Sequence, residues 1–443
     1  MFYKALKYLF LISLVCFANK TYSQWSSVGG GMNSNVYAMT VDTVNNELYV
    51  GGWFTTAGGI PAGHIAKWDG TNWYEIGGGI GDDFSTAVSC LSFFNGNLYV
   101  GGLFDSVGGV EVNNIAMWDG VSWSNVGDGF NRPVYSIVNH NGDLYAVGEF
   151  DSSGTNAVNN IAKWDGSNWV DVGGGTDYSI LTACSFNNEL YIGGAFIYAG
   201  GVFSNGIAKW DGTSWSSVGG VGFNNWIRKV YVYNDTLYLG GDFTSTLNGV
   251  QVKHITKLVA NSWQVLPYPT GSGIYNTIRD FIDFNGELYV TGRFTSVPYI
   301  GKFNGTNYYS LGSGLTYTGE CLEVYNNELY VGGYFSSAVG VANTAGIAKW
   351  NPTVGVFENI STSITVGPNP FSNYTIFQLP SSKKSERNLL VYDLLGNLVR
   401  EVQIGFETEY RFNRENLVAG VYLYRIVDEY GSIEINGKLV IVD

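Results

Sequence analysis

His64, His140 and His254, the cysteines and a recurring Asp-Gly pair are the residues of this chain suited to metal, thiol or acid–base chemistry. Their spacing argues against all three. His64 and His254 stand where near-copies of the same stretch carry Asn114 and Asn160, which marks a turn. His140 stands where others carry Phe94, Phe186, Phe284 or Tyr325, which marks a packed position. No pair has the close spacing of metal ligands. Cys90, Cys184 and Cys321 each precede a repeated tyrosine by seven to nine residues. The fourth cysteine, Cys16, falls in the N-terminal stretch that reads as a signal peptide, and the three thiols left cannot all pair, so they read as small buried hydrophobes. Asp69, Asp119, Asp165 and Asp211 all sit in Trp-Asp-Gly triplets, where turn geometry explains them better than paired acid–base work at a separation of roughly 5–9 Å. Such turns do not form an EF-hand loop either. No catalytic, metal or cofactor-binding residue is nominated, and no cofactor is expected.

A second set suits recognition. One position differs in every copy of a seven-fold motif: Trp53, Leu103, Glu149, Ala195, Asp242, Arg293 and Tyr334. Trp226 joins them, since Trp53 and Trp226 alone among the tryptophans lie outside the repeated aromatic positions. Aromatic rings with polar neighbours suit a sugar ring or a protein partner. The candidate ligand face is therefore Trp53, Glu149, Trp226, Asp242, Arg293 and Tyr334. For any one of these residues, drift at a tolerant repeat position is the competing explanation.

The elements that must position these residues come from the repeat itself. LYVGGWF (48–54) returns as LYVGGLF, LYAVGEF, LYIGGAF, LYLGGDF, LYVTGRF and LYVGGYF, with its tyrosine at 49, 99, 145, 191, 238, 289 and 330. Steps of 41 to 51 residues between these tyrosines signal a propeller or a solenoid. A second motif follows each copy, as in IAKWDGTNW (65–73), worn to IGKFNGTNY (300–308). Each repeat resolves into four short strands. Strand a alternates (36–41, 88–94, 230–233), an Asn-rich turn leads to strand b (LYVGG), IAKW is strand c, and W-x-x-V is strand d. Such a sheet has two apolar faces, and radial stacking buries both. The fold expected is all-β: a seven-bladed β-propeller followed by a small C-terminal β-sandwich. The a–b and c–d turns are short and uniform. The b–c and d–a connections vary and share the opposite face, where function is carried. A phosphate cradle at Gly-Gly fails because no helix follows. Two segments compete to close the ring, 25–28 and 357–360, and closure by the N-terminal one removes an exposed edge.

The apolar-Gly-Gly strand, the aromatic-Asp pair and the later Trp resemble kelch-type propellers. The W-S/N-x-V-G-G-G, LYVGG-x-F-T and IA-x-WDG-x-x-W pieces are similar to the extracellular repeats of fungal cortical cell-polarity markers. The resemblance covers residues 25–358 and implies architecture rather than activity. The adjacent Asp69 and Gly70 do not match the Asp box of sialidase-type propellers, and no Tyr/His/Cys cluster matches kelch-like copper oxidases.

Residues 1–23 read as a signal peptide: Lys4 and Lys7, an apolar stretch from Leu9 to Ala18, then small residues at Thr21 and Ser23. Cys16 does not fit a lipoprotein signal, and the apolar stretch is too short for a stable anchor. Removal of three lysines takes the formal charge from −14 to −17. That acidity excludes nucleic acid as an expected partner.

After Ile360 the repeat stops. Residues 361–365 read as a linker and 366–443 as a separate domain. Its Pro368, Asn369 and Pro370, its Tyr392-Asp393 with Gly396, its Ala419, Gly420 and Tyr422, and its late Lys438 resemble the type A C-terminal sorting domain of the type IX secretion system of Bacteroidota. The resemblance implies a sorting signal at Pro368, Asn369, Pro370, Gly396, Gly420, Tyr422 and Lys438, with the secretion machinery as partner. It also implies cleavage near residues 360–368 and release or attachment at the cell surface. The expectation for the whole chain is a secreted or cell-surface propeller without a transmembrane anchor. It binds glycan or protein without catalysis; a polysaccharide-active or other degradative enzyme and a structural surface-layer component are the alternatives.

Overall fold

Asparagine-rich turns fold each repeat into its hairpins. Asn187 with Asn188 and Asn326 with Asn327 take the left-handed backbone that a tight two-residue turn demands, and Asn46 takes it at the end of the longer loop between Asp42 and Glu47. The structure is a computed structural model that describes residues 25–81, 85–220, 222–267, 276–294, 297–351, 365–379, 387–393, 398–404, 408–428 and 433–443. These fall into two compact units, 25–351 and 365–443.

The first unit holds seven four-stranded antiparallel sheets. In blade 1 the strands are Val36–Asp42 (a), Glu47–Gly52 (b), Ile65–Trp68 (c) and Trp73–Glu75 (d). The other a strands are Ala87–Phe94, Val134–His140, Ile180–Phe186, Ile227–Tyr233, Thr277–Phe284 and Gly319–Tyr325. They begin up to three residues earlier than alternation alone suggests. Each a strand touches the a strand of both neighbours, and the first touches the last, so the sheets close into a seven-bladed β-propeller around an inner ring.

Blade 7 takes its outer strand from the other end of the chain. Trp25–Ser27 pairs with Ile347–Trp350, setting Trp25 opposite Trp350 and Ser27 opposite Ala348. The competing segment at 357–360 lies outside the described residues, as do 1–24.

Two contacts recur between blades. Leu48 and Val50 pack toward blade 7, while Tyr49 between them packs toward blade 2, as strand alternation requires. The strand-d indoles also reach backward. Trp73 Nε1 donates to the Val28 carbonyl (3.0 Å), Trp169 to Val126 (3.0 Å), Trp215 to Val172 (3.0 Å) and Trp25 to Leu311 (2.9 Å). Each acceptor is the last residue of the preceding blade's W-x-x-V. The glycine after it adopts positive φ, and a Cβ at Gly29 would strike the Trp68 and Trp73 rings at 2.4–2.8 Å.

The C-terminal unit is a sandwich. Thr365–Gly367, Tyr374–Gln378 and Glu409–Asn413 form one sheet, and Leu398–Gln403, Arg387–Tyr392, Gly420–Asp428 and Ile433–Ile441 the other. Phe377, Phe412, Leu389, Ile426 and Leu439 fill the space between. Thr365, read from sequence as linker, is already paired with Gln378.

Trp25→Ala removes a buried ring, its edge contact with Trp350 at 5.0 Å and its bond to blade 6. The expected cost is about 3–5 kcal/mol. A denaturant titration followed by tryptophan fluorescence should show the propeller's midpoint falling sharply; an unchanged midpoint would mean the ring does not depend on this closure.

Candidate functional site at the mouth of the inner ring

Every a strand carries one bulge near its start, just after the residue paired with the second glycine position of strand b. The extra residues are Tyr37, Ser89, Tyr135, Leu181, Arg228, Arg279 and Glu320. A bulge bends the strand and re-aims a side chain. The second glycine of strand b makes room for it: a Cβ on Gly52 would meet the Asn35 carbonyl at 2.1 Å, and on Gly148 the Pro133 carbonyl at 2.1 Å. The first glycine is more tolerant, being Val147 in blade 3 and Thr291 in blade 6. All seven bulge residues are half-buried and lie at the end of strand a where the variable connections meet. They ring the mouth.

The variable residue after Gly-Gly sits beside the bulge. The backbone N–H of Trp53, Glu149, Asp242 and Tyr334 donates to the residue just before strand a, namely Asn35, Pro133, Trp226 and Thr318. In blade 3 the Tyr135 hydroxyl donates to Glu149 Oε2 (2.9 Å). In blade 5 Arg228 donates from Nε (3.0 Å) and Nη2 (2.7 Å) to Asp242 Oδ2, with its guanidinium 4.8 Å from the Trp226 ring centre. Trp226 and Asp242, distant in sequence logic, thus meet through Arg228. Arg293 and Tyr334 meet through Tyr317, which lies 5.6 Å from the Arg293 guanidinium and 5.5 Å from the Tyr334 ring. Glu149 and Trp53 belong to blades 3 and 1. Trp53, Trp226 and Tyr334 are 45 %, 47 % and 57 % exposed.

Sequence reasoning missed the inner strands of blades 5–7. Lys229 pairs with Asp280 (2.7 Å), whose other oxygen accepts the Leu322 N–H (2.9 Å) across the blade boundary. Arg279 Nε stands 3.5 Å from Glu320 Oε2. Blades 1–4 place Tyr-Ala, Ser-Cys, Tyr-Ser and Leu-Thr at the same two positions. The available signal was IRK (227–229), IRD (278–280) and GEC (319–321): charges inside strands that are otherwise apolar or neutral.

Burial sets the electrostatics here. It pushes the Asp242 carboxyl up more than any single partner pulls it down, but the hydrogen bonds and charge of Arg228, with Thr277 and Arg279, together outweigh it and hold the group below its usual range. Burial raises Glu320 despite the pull of Arg279 and Arg228. It pushes Glu323 up to about 7, although Glu323 Oε1 accepts the Val324 N–H (2.9 Å). Burial alone would lower Lys229, and Asp280 reverses that.

The residues read from the sequence as turn or packing positions fall in turns and packed places, except that one thiol is less buried than expected. Asp69 Oδ1 accepts the N–H groups of Thr71 and Asn72 (both 2.7 Å), and Asp119, Asp165 and Asp211 repeat the pattern. His64 and His254 take the left-handed backbone of Asn114 and Asn160. His140 is buried with Nδ1 2.8 Å from Ser185 Oγ. Cys90 and Cys321 are buried free thiols, and Cys184 is half-buried. Among the described residues no group of His, Cys, Asp and Glu could hold a metal. A pocket of about 530 Å³ between blades 2 and 3 is lined by repeat positions such as Asn113, Gly129, Phe130 and Ser152, away from the charged strands.

In the C-terminal unit, Asn369 Nδ2 donates to the Lys438 carbonyl (2.7 Å) and its Oδ1 accepts the Val440 N–H (2.8 Å). The Pro368–Pro370 segment is thereby tied to the last strand. Gly420 opens a strand, Tyr422 is buried with its hydroxyl on the Val418 carbonyl (3.0 Å), and the Lys438 side chain is exposed. Gly396 lies outside the described residues.

Residues 365–442 match the family described as the Secretion system C-terminal sorting domain, Por_Secre_tail. The chain therefore carries a type IX sorting domain, which supports export to the cell surface or extracellular space. No curated protein matches the chain in sequence. Three solved structures are similar to this chain. One is the extracellular domain assigned to the hybrid two component system BT3049 of B. thetaiotaomicron, at 13 % identity and TM-score 0.49, covering 95 % of this chain and 57 % of that one. Another is the extracellular domain assigned to the one component system BT4673 of B. thetaiotaomicron, at 12 % identity and TM-score 0.46, covering 95 % and 58 %. The third is the GH74 enzyme of Niastella koreensis, at 12 % identity and TM-score 0.43, covering 95 % and 75 %. The chain thus spans little more than half the length of the first two. Among the described residues no helix is long and apolar enough to cross a membrane.

Because the folded state raises the Glu323 pKa, it binds this proton more tightly than the unfolded chain does. The resulting stabilisation is complete below the ordinary carboxyl range and is lost as pH rises through about 7. The propeller's thermal midpoint should fall between pH 5 and 8, by an amount worth about 1–2 kcal/mol after allowance for water at the half-open ring. Glu323→Gln should flatten that dependence; an identical slope in the variant would remove Glu323 as its source.

Proposed function

We propose that this chain is a secreted or cell-surface kelch-like propeller that binds an extracellular glycan or protein at its variable face, without catalysis. The supporting observation is the cluster of Trp226, Arg228 and Asp242, an exposed indole held flat by a guanidinium that a carboxylate fixes in turn. A rigid aromatic face with polar edges suits a sugar ring, whose C–H face stacks while its hydroxyls find donors and acceptors. Tyr334, Arg293 and Tyr317 offer a second such group two blades further round.

The division proposed is a signal peptide at 1–23, the propeller at 24–360, a linker at 361–365 and the sorting domain at 366–443. Pro368, Asn369, Pro370, Gly396, Gly420, Tyr422 and Lys438 form the signal that the type IX machinery of Bacteroidota reads. The propeller is then released or attached at the surface.

One observation favours an enzyme instead. Glu320 and Glu323, on one inner strand, are both carboxyls that burial biases toward the protonated form, as a general acid requires. A surface-layer role has no comparable support.

Retention on immobilised polysaccharides, scored together with release of reducing ends, separates the readings. Trp226→Ala should weaken retention about tenfold, the order expected for one stacked ring, with Trp53→Ala having a smaller effect and both proteins remaining folded. Unchanged retention in both would eliminate the proposed face. Release of reducing ends, lost in Glu320→Gln, would replace binding with hydrolysis. Deleting 365–443 in the native host should leave the propeller inside the cell envelope; normal surface delivery would refute the sorting role.

A further inference from the structure

The mouth of the inner ring is not symmetric, and the asymmetry bears on what it holds. This inference rests on the binding reading above. Tyr37, Ser89, Tyr135 and Leu181 bring no charge to the bulge positions of blades 1–4, whereas Arg228, Arg279 and Glu320 follow one another on blades 5–7.

The two bulge arginines differ in what they lack. Arg228 gives Nε and Nη2 to Asp242 and stacks on Trp226, so its inner edge is satisfied. Arg279 has a buried Nε with no hydrogen-bond partner, and Glu320 Oε2 stays at 3.5 Å. A buried donor without an acceptor carries a desolvation cost that an incoming oxygen would remove. The Arg279 side chain keeps 29 % of its surface exposed, so the guanidinium is reachable from the mouth. A planar guanidinium matches a planar carboxylate best.

The surroundings limit the charge that such a ligand carries. Glu320 and Asp242 flank Arg279, and the protein carries a formal charge of −14, so a phosphate dianion or a dense polyanion is opposed. A single carboxylate is tolerated because distant charges are screened over about 8 Å. The flanks of the site are aromatic: Trp226 before blade 5 and Tyr334 on blade 7, both about half exposed, stand on either side of blade 6. Flat rings beside an arginine suit the sugars that neighbour an acidic one better than they suit an acidic peptide.

We infer that the mouth at blades 5–7 binds an acidic glycan through an isolated carboxylate, as in a uronic acid, with Arg279 and Arg293 meeting the carboxylate and Trp226 and Tyr334 packing on adjacent sugar rings.

The test uses the purified full chain on immobilised hyaluronate, glucuronoxylan and alginate, each beside its carboxyl-reduced form, with poly-glutamate as a further arm. The expected result is retention on at least one uronate polymer that falls tenfold or more on its reduced form, with Arg279→Gln and Arg293→Gln each weakening only the acidic arm about tenfold. Arg293 is half exposed, so its variant carries the test if Arg279→Gln does not fold. Equal retention on the acidic and reduced forms would overturn the carboxylate assignment and leave glycan binding standing. Equal or stronger retention on poly-glutamate would overturn the glycan assignment. Retention on none of the polymers would overturn both this inference and the glycan-binding reading.

Discussion

The fold depends on one contact, the indole N–H of a strand-d tryptophan bonded to a backbone carbonyl of the blade before it. The indole is buried, and its single donor needs an acceptor there. The W-x-x-V segment supplies one at Val28, Val126 and Val172, and the following glycine leaves space for the ring. A repeat that keeps the tryptophan and the W-x-x-V carbonyl therefore carries both halves of a joint, the indole for one neighbour and the carbonyl for the other. The chain ends use the same joint: Trp25 donates to Leu311 of blade 6, and Val28 accepts from Trp73 of blade 1. Blade 5 departs from the pattern. Trp263 Nε1 is buried without a hydrogen-bond partner, in the same part of the ring where the IAKWDG motif is worn. Blade 6 replaces the tryptophan pair with Phe303 and Tyr308, stacked at 4.6 Å.

The outer and inner strands divide the work. Strands b, c and d are nearly uniform because each must meet its neighbours in the same way. The inner strand is held by its first residue and by the bulge. The bulge residue packs only partly, so substitution there costs little and its chemistry can change from blade to blade. Blades 1–4 leave it neutral. Blades 5–7 place arginine and glutamate there and add the Lys229–Asp280 pair one residue further on. That pair does structural work too, since Asp280 also accepts a backbone N–H of blade 7, as Thr182 accepts that of Val230.

The C-terminal unit solves a different problem. Its opening segment cannot use proline N–H groups to join a sheet. The Asn369 side chain substitutes for them, presenting a donor and an acceptor to the last strand as a backbone amide would. Arg414 acts as a donor alone near the chain end, giving hydrogen bonds to the carbonyls of Ser372, Leu417 and Val442. Asn369, a motif residue recognised in the sequence, is thus also one that holds the sandwich together at its edge.

The sequence by itself determined the number of blades, the four strands of each, the turn chemistry of the asparagines and WDG triplets, and the presence of a separate β domain. These follow from local rules: a period near 47 residues, alternation, and residues that tolerate positive φ. It also nominated six positions for a ligand face. Only the tertiary structure decided that Trp25 rather than a later segment closes the ring, because that choice depends on which edge is left unpaired. Only it showed the seven bulges, since a bulge is a mismatch between two strands and cannot be seen in either alone. The grouping of Trp226 with Asp242 and of Arg293 with Tyr334, through Arg228 and Tyr317, and the charged inner wall of blades 5–7, depend on side chains that meet across a blade or between blades. Residues well separated in the chain become neighbours there because strands pair within a blade and successive blades stack, and no periodicity encodes which of them carry charge.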